Sequence, residues 1–165
     1  MIRIYLIAVA LFIGCWMSSA YAEDVMFGNL KISNPWARAT PKGASVGGAY
    51  MTIINTGNVP DRLLGGSSDA SNHFEIHEMS MENGVMKMRP LGKGLEIKPG
   101  QIVEFKPGGY HVMFVGLKAQ FEEGQHIKAT LQFEKAGNIG VDFAVRSIGA
   151  ETGAGTDKMQ MQHGH

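Results

Sequence analysis

The feature that most constrains this chain is a two-residue alternation of apolar and polar side chains, interrupted at short intervals by Gly, Pro and Asn. A period of two belongs to a strand with one buried face. In 126–134, Ile127, Ala129, Leu131 and Phe133 fall on one side, and Lys128, Thr130, Gln132 and Glu134 on the other. Residues 139–146 repeat the pattern with Val141, Phe143 and Val145 inward. Lys135-Ala136-Gly137-Asn138 between them predicts a hairpin. Further strands are expected at 25–33, 49–55, 73–80, 84–89, 101–106 and 111–117. Turn chemistry separates them at Asn55-Thr56-Gly57-Asn58, Glu82-Asn83-Gly84, Lys98-Pro99-Gly100 and Lys106-Pro107-Gly108-Gly109. No segment holds a 3.6-residue period for three turns, and 118–123 has room for one short helical turn at most. The fold class is therefore all-β, an antiparallel sandwich or barrel. Met26 and Met51 read as core residues of it.

At 165 residues the chain has room for one domain of ordinary size. Residues 1–22 read as a secretory signal: Arg3, an apolar run over 4–16, then Ser18-Ser19-Ala20-Tyr21-Ala22, with cleavage after Ala22. That run is shorter than the ~20 residues of a membrane-spanning helix. Cys15 after Phe12-Ile13-Gly14 offers lipoprotein processing as an alternative, and Phe12 makes it the poorer match. Residues 23–148 form the folded domain. From 149 a Gly/Ala/Thr-rich linker leads to a terminus carrying Met159, Met161, His163 and His165, so 149–165 is expected to be a flexible tail. Cleavage removes the only cysteine. The mature protein enters an oxidising compartment without a disulfide, and its core has to suffice.

Several function classes fall away. Lys and Arg number 15, Asp and Glu also 15, so there is no basic excess to neutralise phosphates. No Gly-x-Ser-x-Gly elbow, cysteine nucleophile or carboxylate pair marks an enzyme. A blue-copper electron carrier requires a thiolate beside two histidines, and the mature chain lacks one.

Metal-capable side chains gather in three pieces: His77-Glu78-Met79, Met86-Lys87-Met88 and His111-Val112-Met113. Residues i and i+2 of a strand share a face about 6.5–7 Å apart. His77 with Met79, and His111 with Met113, are thus two same-face pairs, and Met88 on the neighbouring strand is placed to complete a site. With Phe74 and Ile76 inward, His77 and Met79 fall on the polar face with His73 and Glu75. Thioethers with imidazoles and no thiolate select Cu(I). Zinc favours Cys, His and carboxylate, and calcium or magnesium favours oxygen. His73 lies about 13 Å along the strand from His77, too far to share an ion. His126 belongs to a solvent face, and Met81 and Met86 read as core or surface filler, with an auxiliary ligand role as the alternative.

At these residues the sequence resembles the periplasmic copper chaperone family that serves the copper A centre of cytochrome c oxidase. The resemblance runs through Asn34-Pro35-Trp36-Ala37-Arg38-Ala39-Thr40-Pro41, Gly48-Ala49-Tyr50-Met51-Thr52-Ile53-Ile54-Asn55, His77-Glu78-Met79, Gly84-Val85-Met86-Lys87-Met88-Arg89 and Pro107-Gly108-Gly109-Tyr110-His111-Val112-Met113. The family pattern is a His, a Met after ten residues, and an H-x-M some twenty residues on. Here ten residues separate His77 from Met88, and 22 separate Met88 from His111. The resemblance implies a cupredoxin-like β-sandwich in the periplasm. It implies a Cu(I) site of His77, Met88, His111 and Met113, with Met79 as the alternate. It implies hand-off to the copper-A subunit of the oxidase or to a thiol copper-assembly protein; a copper buffer without a delivery partner is the competing expectation. Met159, Met161, His163 and His165 resemble a tail that captures copper in some members, sometimes as Cu(II).

Overall fold

The computed structural model describes residues 24–151. Eleven strands and no helix occur among them. In chain order they are β1 (Val25–Phe27), β2 (Leu30–Arg38), β3 (Val46–Asn55), β4 (Asp61–Ser67), β5 (Ser71–Glu82) and β6 (Val85–Pro90). Then come β7 (Leu95–Ile97), β8 (Ile102–Phe105), β9 (Tyr110–Leu117), β10 (His126–Phe133) and β11 (Gly137–Arg146). They form one open sheet in the order β6-β5-β9-β8-β3-β2-β11-β10-β4-β7, with β1 added to β2. The sheet doubles over on itself as a sandwich. Phe114 of β9 meets Phe143 of β11 edge-on across the core, ring centroids 6.1 Å apart, and also packs edge-on against Phe74 and Phe121.

The alternation read from the sequence sets which face is buried. Ile127, Ala129, Leu131 and Phe133 are buried, as are Val141, Phe143 and Val145, and the two strands pair antiparallel from His126↔Ala144 to Phe133↔Gly137. The predicted 135–138 hairpin is therefore present. Pairing is not antiparallel throughout: β11 runs parallel to β2, and β8 parallel to β9.

Several local expectations give way to tertiary context. The first predicted strand, 25–33, is two, folded back on each other around Gly28 and Asn29, with Met26 opposite Lys31. Met26 is exposed rather than core, because this short ribbon pairs only with β2; Met51 is core as expected. β2 continues through Pro35 to Arg38, since an irregularity between Ser33 and Trp36 places Asn34 at φ 50° and spares the ladder a proline N–H. β4 and β7 are absent from the alternation. β4 exists because β10 pairs with it and Asp61 anchors its start, accepting the backbone N–H groups of Lys135 and Ala136 at 2.9 Å each. The segment 118–123 forms no helical turn. Phe121 instead enters the core, and its N–H donates to Thr40 Oγ1 at 3.0 Å.

Candidate metal centre

β5 is the longest strand, and its last third leaves the sandwich with β6 as an edge hairpin. The hairpin closes at Asn83 and Gly84, both at positive φ (51° and 79°), the pairing that a two-residue type I′ turn demands. β5 is sandwiched between β6 and β9, and the registers put the predicted residues on one face. His77 is opposite His111 on one side and Pro90 on the other; Met79 is opposite Met88; Met113 is opposite Glu75. The opposite parity (Phe74 and Ile76 of β5, Val112 and Phe114 of β9) points into the core. Relative to His77, Met113 and Met88 occupy opposite diagonals, each about 7–8 Å away in an ideal ladder and within reach of a long side chain.

The two imidazoles form the centre of this face. Their ring centroids are 5.6 Å apart at an interplanar angle of 47°. With metal–nitrogen bonds of about 2 Å, two rings sharing one ion have centroids no more than about 6–6.5 Å apart, so the observed spacing fits. Both rings are buried. Each has one nitrogen committed. His111 Nδ1 donates to the Gly109 carbonyl at 3.0 Å, leaving Nε2 with its lone pair. His77 Nε2 donates to a Glu75 carboxylate oxygen at 2.6 Å, leaving Nδ1 buried and without a hydrogen-bond partner among the described residues. Metal-binding histidines carry such a partner on the other nitrogen, which fixes tautomer and ring orientation. Burial holds the His111 pKa below its ordinary value; the hydrogen bond to Gly109 opposes that shift, and the nearby His77 adds to it. That direction favours the neutral imidazole, the form that binds a metal.

The remaining donors are thioethers. Met113 and Met79 are half-buried, and Met88 is 50% exposed. Among the described residues, no group of three or more His, Cys, Asp or Glu side chains is placed to hold a metal ion. The further neutral donors on this face are the thioethers of Met113, Met79 and Met88, a set that suits a soft ion better than the oxygen cages of calcium and magnesium. The donor set fits Cu(I).

The other sequence candidates separate clearly. His73 is exposed and opposite Val115, away from the pair. His126 lies on β10, which pairs with neither β5 nor β9, and is bonded to Asp142 at 2.9 Å. Met159, Met161, His163 and His165 lie outside the described residues. Sequence reasoning assigned no role to Glu75, although the H-x-M alternation that placed His77 on this face places Glu75 there too. Also missed was the adjoining aromatic stack: Trp36 lies 4.5 Å from Tyr50, whose hydroxyl passes so close over Gly48, the residue opposite Met113, that a Cβ there would sit 3.2 Å from it.

Comparison with known proteins agrees with the motif resemblance. A solved structure described as "Copper-bound PCuAC domain from PmoF2" superposes with a TM-score of 0.65 at 30% identity, covering 76% of this chain and 98% of that one. A second, "Solution structure of apo-DR1885 from Deinococcus radiodurans", gives a TM-score of 0.57 over 89% of this chain and 94% of its own, and at 20% identity that likeness concerns the fold alone. A curated relative from Leifsonia xyli subsp. xyli, described as "Putative lipoprotein Lxx21020", is 30% identical over 131 residues, 79% of this chain and 78% of its own. The family model described as "Putative lipoprotein LpqE-like" matches residues 30–145. A cupredoxin-like β-sandwich, a two-histidine centre on its outer face and these matches together place the chain in the LpqE-like family, the one to which the copper-chaperone motifs pointed.

Proposed function

We propose that this protein is a periplasmic copper chaperone that binds one Cu(I) at His77, His111, Met113 and Met88, with Met79 able to replace Met88, and delivers it for assembly of the copper centre of cytochrome c oxidase. The observation that carries this reading is the His77–His111 pair, 5.6 Å apart, each ring with one nitrogen committed and one free, on the face that carries Met113, Met79 and Met88. The arrangement suits transfer rather than storage. The imidazoles are buried and oriented, while Met88 is half exposed on an edge strand. A partner thiolate or thioether approaches from that edge, displaces Met88 and then takes the ion by successive ligand exchange. No electron or proton need change hands, so the protein acts as a carrier and not as an enzyme. Met79 and Met88 face each other across the hairpin, which supports their interchangeability.

The same reading makes residues 1–22 a cleaved signal, 23–148 the copper-binding domain and 149–165 a second, tail-borne copper ligand set of Met159, Met161, His163 and His165 able to take Cu(II). The family and the relative described as putative lipoproteins support the alternative export step, lipid attachment at Cys15. The mass of the mature N-terminus decides between a chain beginning at Glu23 and one beginning at a lipidated Cys15.

The delivery claim is tested by following copper from the Cu(I)-loaded protein to the apo copper-A domain of an oxidase. Transfer faster than from chelated Cu(I) at the same free concentration is expected. Transfer no faster would leave a copper buffer as the function.

A further inference from the structure

Beyond the two-histidine centre, the β5–β6 hairpin holds a second pair of methionines. Met81 stands opposite Met86 one step further out than Met79 and Met88, on the same face as His77. Met81 is 64% exposed and Met86 45%. No strand lies beyond β6, so core packing does not account for them. The other face of the hairpin is ionic: Glu82 pairs with Lys87 Nζ at 2.9 Å and with the Arg89 guanidinium, and Arg89 is opposite Glu78. One side of an exposed ribbon is thus salt-bridged, while the other carries four thioethers in two cross-strand pairs leading to the imidazoles.

We propose that Met81 and Met86, backed by Met79 and Met88, form a second Cu(I) site that serves as the entry port to the His77–His111 centre. The identity of the ion rests on the chaperone reading above; the existence of the site rests on the hairpin register. Directly opposed residues have Cβ atoms about 4.5–5.5 Å apart, and unbranched methionine side chains close on one ion across that gap. The Asn83-Gly84 turn holds the register fixed. Thioethers do not titrate and bear no charge, so this site takes up Cu(I) without displacing a proton but holds it more weakly than a site with imidazoles. From there the ion moves inward one ligand at a time. The Met81 and Met86 sulfur bonds break as bonds to Met79 or Met88, and then to His77 and His111, form. Copper stays Cu(I) throughout.

The test uses the full mature chain labelled with [methyl-13C]methionine and titrated anaerobically with Cu(I), with Ag(I) as a redox-inert probe. The first equivalent is expected to shift the Met113 and Met88 methyls, and the second those of Met81 and Met86. Met81→Leu combined with Met86→Leu should abolish the second step on the domain, keep the first, leave the melting temperature unchanged and slow loading severalfold. Met81 and Met86 methyls unmoved at two equivalents would overturn the entry site, whether the second ion went to Met159 and Met161 or the patch served only to dock a protein. Met88 and Met113 methyls unmoved would overturn the chaperone site itself, whatever the outer pair does.

Discussion

His77 of β5 and His111 of β9 face each other as direct cross-strand partners, and each has its outward choice of nitrogen fixed by a different acceptor, Glu75 for one and the Gly109 carbonyl for the other. These two hydrogen bonds fix the orientation of both rings.

Replacing a ligand should separate the site from the rest of the histidines. His111→Ala or Met113→Ala is expected to lower Cu(I) affinity by more than tenfold in a competition titration with a Cu(I) chelator. His126→Ala should leave it unchanged, because His126 is bonded to Asp142 on another part of the sheet. Equal affinities in both classes of variant would remove the H-x-M pair from the site.

In the proposed copper site, Glu75 is a positioning residue that acts through its hydrogen bond with His77. Removing such an outer partner of a metal-bound histidine costs about 10–100-fold in affinity, so Glu75→Ala should fall in that range. Glu75→Gln keeps a carbonyl that accepts from His77 Nε2 and should recover most of the loss. Matching defects in the two variants would show that the carboxylate charge, not the orientation of the ring, is what matters.

The core is tested at Phe114, which is fully buried and touches Phe74, Phe121 and Phe143. Phe114→Ala should cost about 3–5 kcal/mol in denaturant unfolding, in a domain with no disulfide to limit the damage. A loss below about 1 kcal/mol would mean that the two halves of the sandwich are held elsewhere.

How much of this was legible in the sequence follows from what each feature depends on. The hairpin at 135–138, the buried faces of β10 and β11, the Asn83-Gly84 turn and the shared face of His77, Met79, His111 and Met113 all follow from alternation and local turn chemistry. β4 was not legible, because Leu63-Leu64-Gly65-Gly66 lacks alternation and becomes a strand through its pairing with β10 and β7 and the Asp61 anchor. Pro35 reads as a strand end, yet the turn of backbone at Asn34 carries β2 past it. At the site, the residue types were legible, while the His77–His111 opposition was not. It depends on the register of β5 with β9, strands far apart in the chain. For the same reason the bond from Glu75 to His77 went unassigned, though both residues were placed on one face.

Tyr50 provides a pH test of the aromatic stack. Burial raises its pKa above the usual value for tyrosine, with Arg38 opposing the shift. A raised folded-state pKa contributes stability that is present in full below about pH 10 and lost as pH rises through the folded value. The wild type should therefore lose stability more steeply above pH 10 than Tyr50→Phe, measured by chemical unfolding across pH 8–11. Parallel curves would place the alkaline loss at other groups, such as Tyr110, whose pKa burial and Glu78 also raise.

The tail is tested by truncation after Gly149. Cu(I) affinity at one equivalent should be unchanged, and uptake of Cu(II) should fall. An unchanged Cu(II) stoichiometry would remove Met159, Met161, His163 and His165 from copper capture.

The most direct test of the central claim is copper K-edge X-ray absorption on the protein loaded with a single equivalent of Cu(I). Two nitrogen and two sulfur scatterers are expected, from His77, His111, Met113 and one of Met88 or Met79. A shell of nitrogen and oxygen without sulfur would contradict the thioether site on which the proposed function stands.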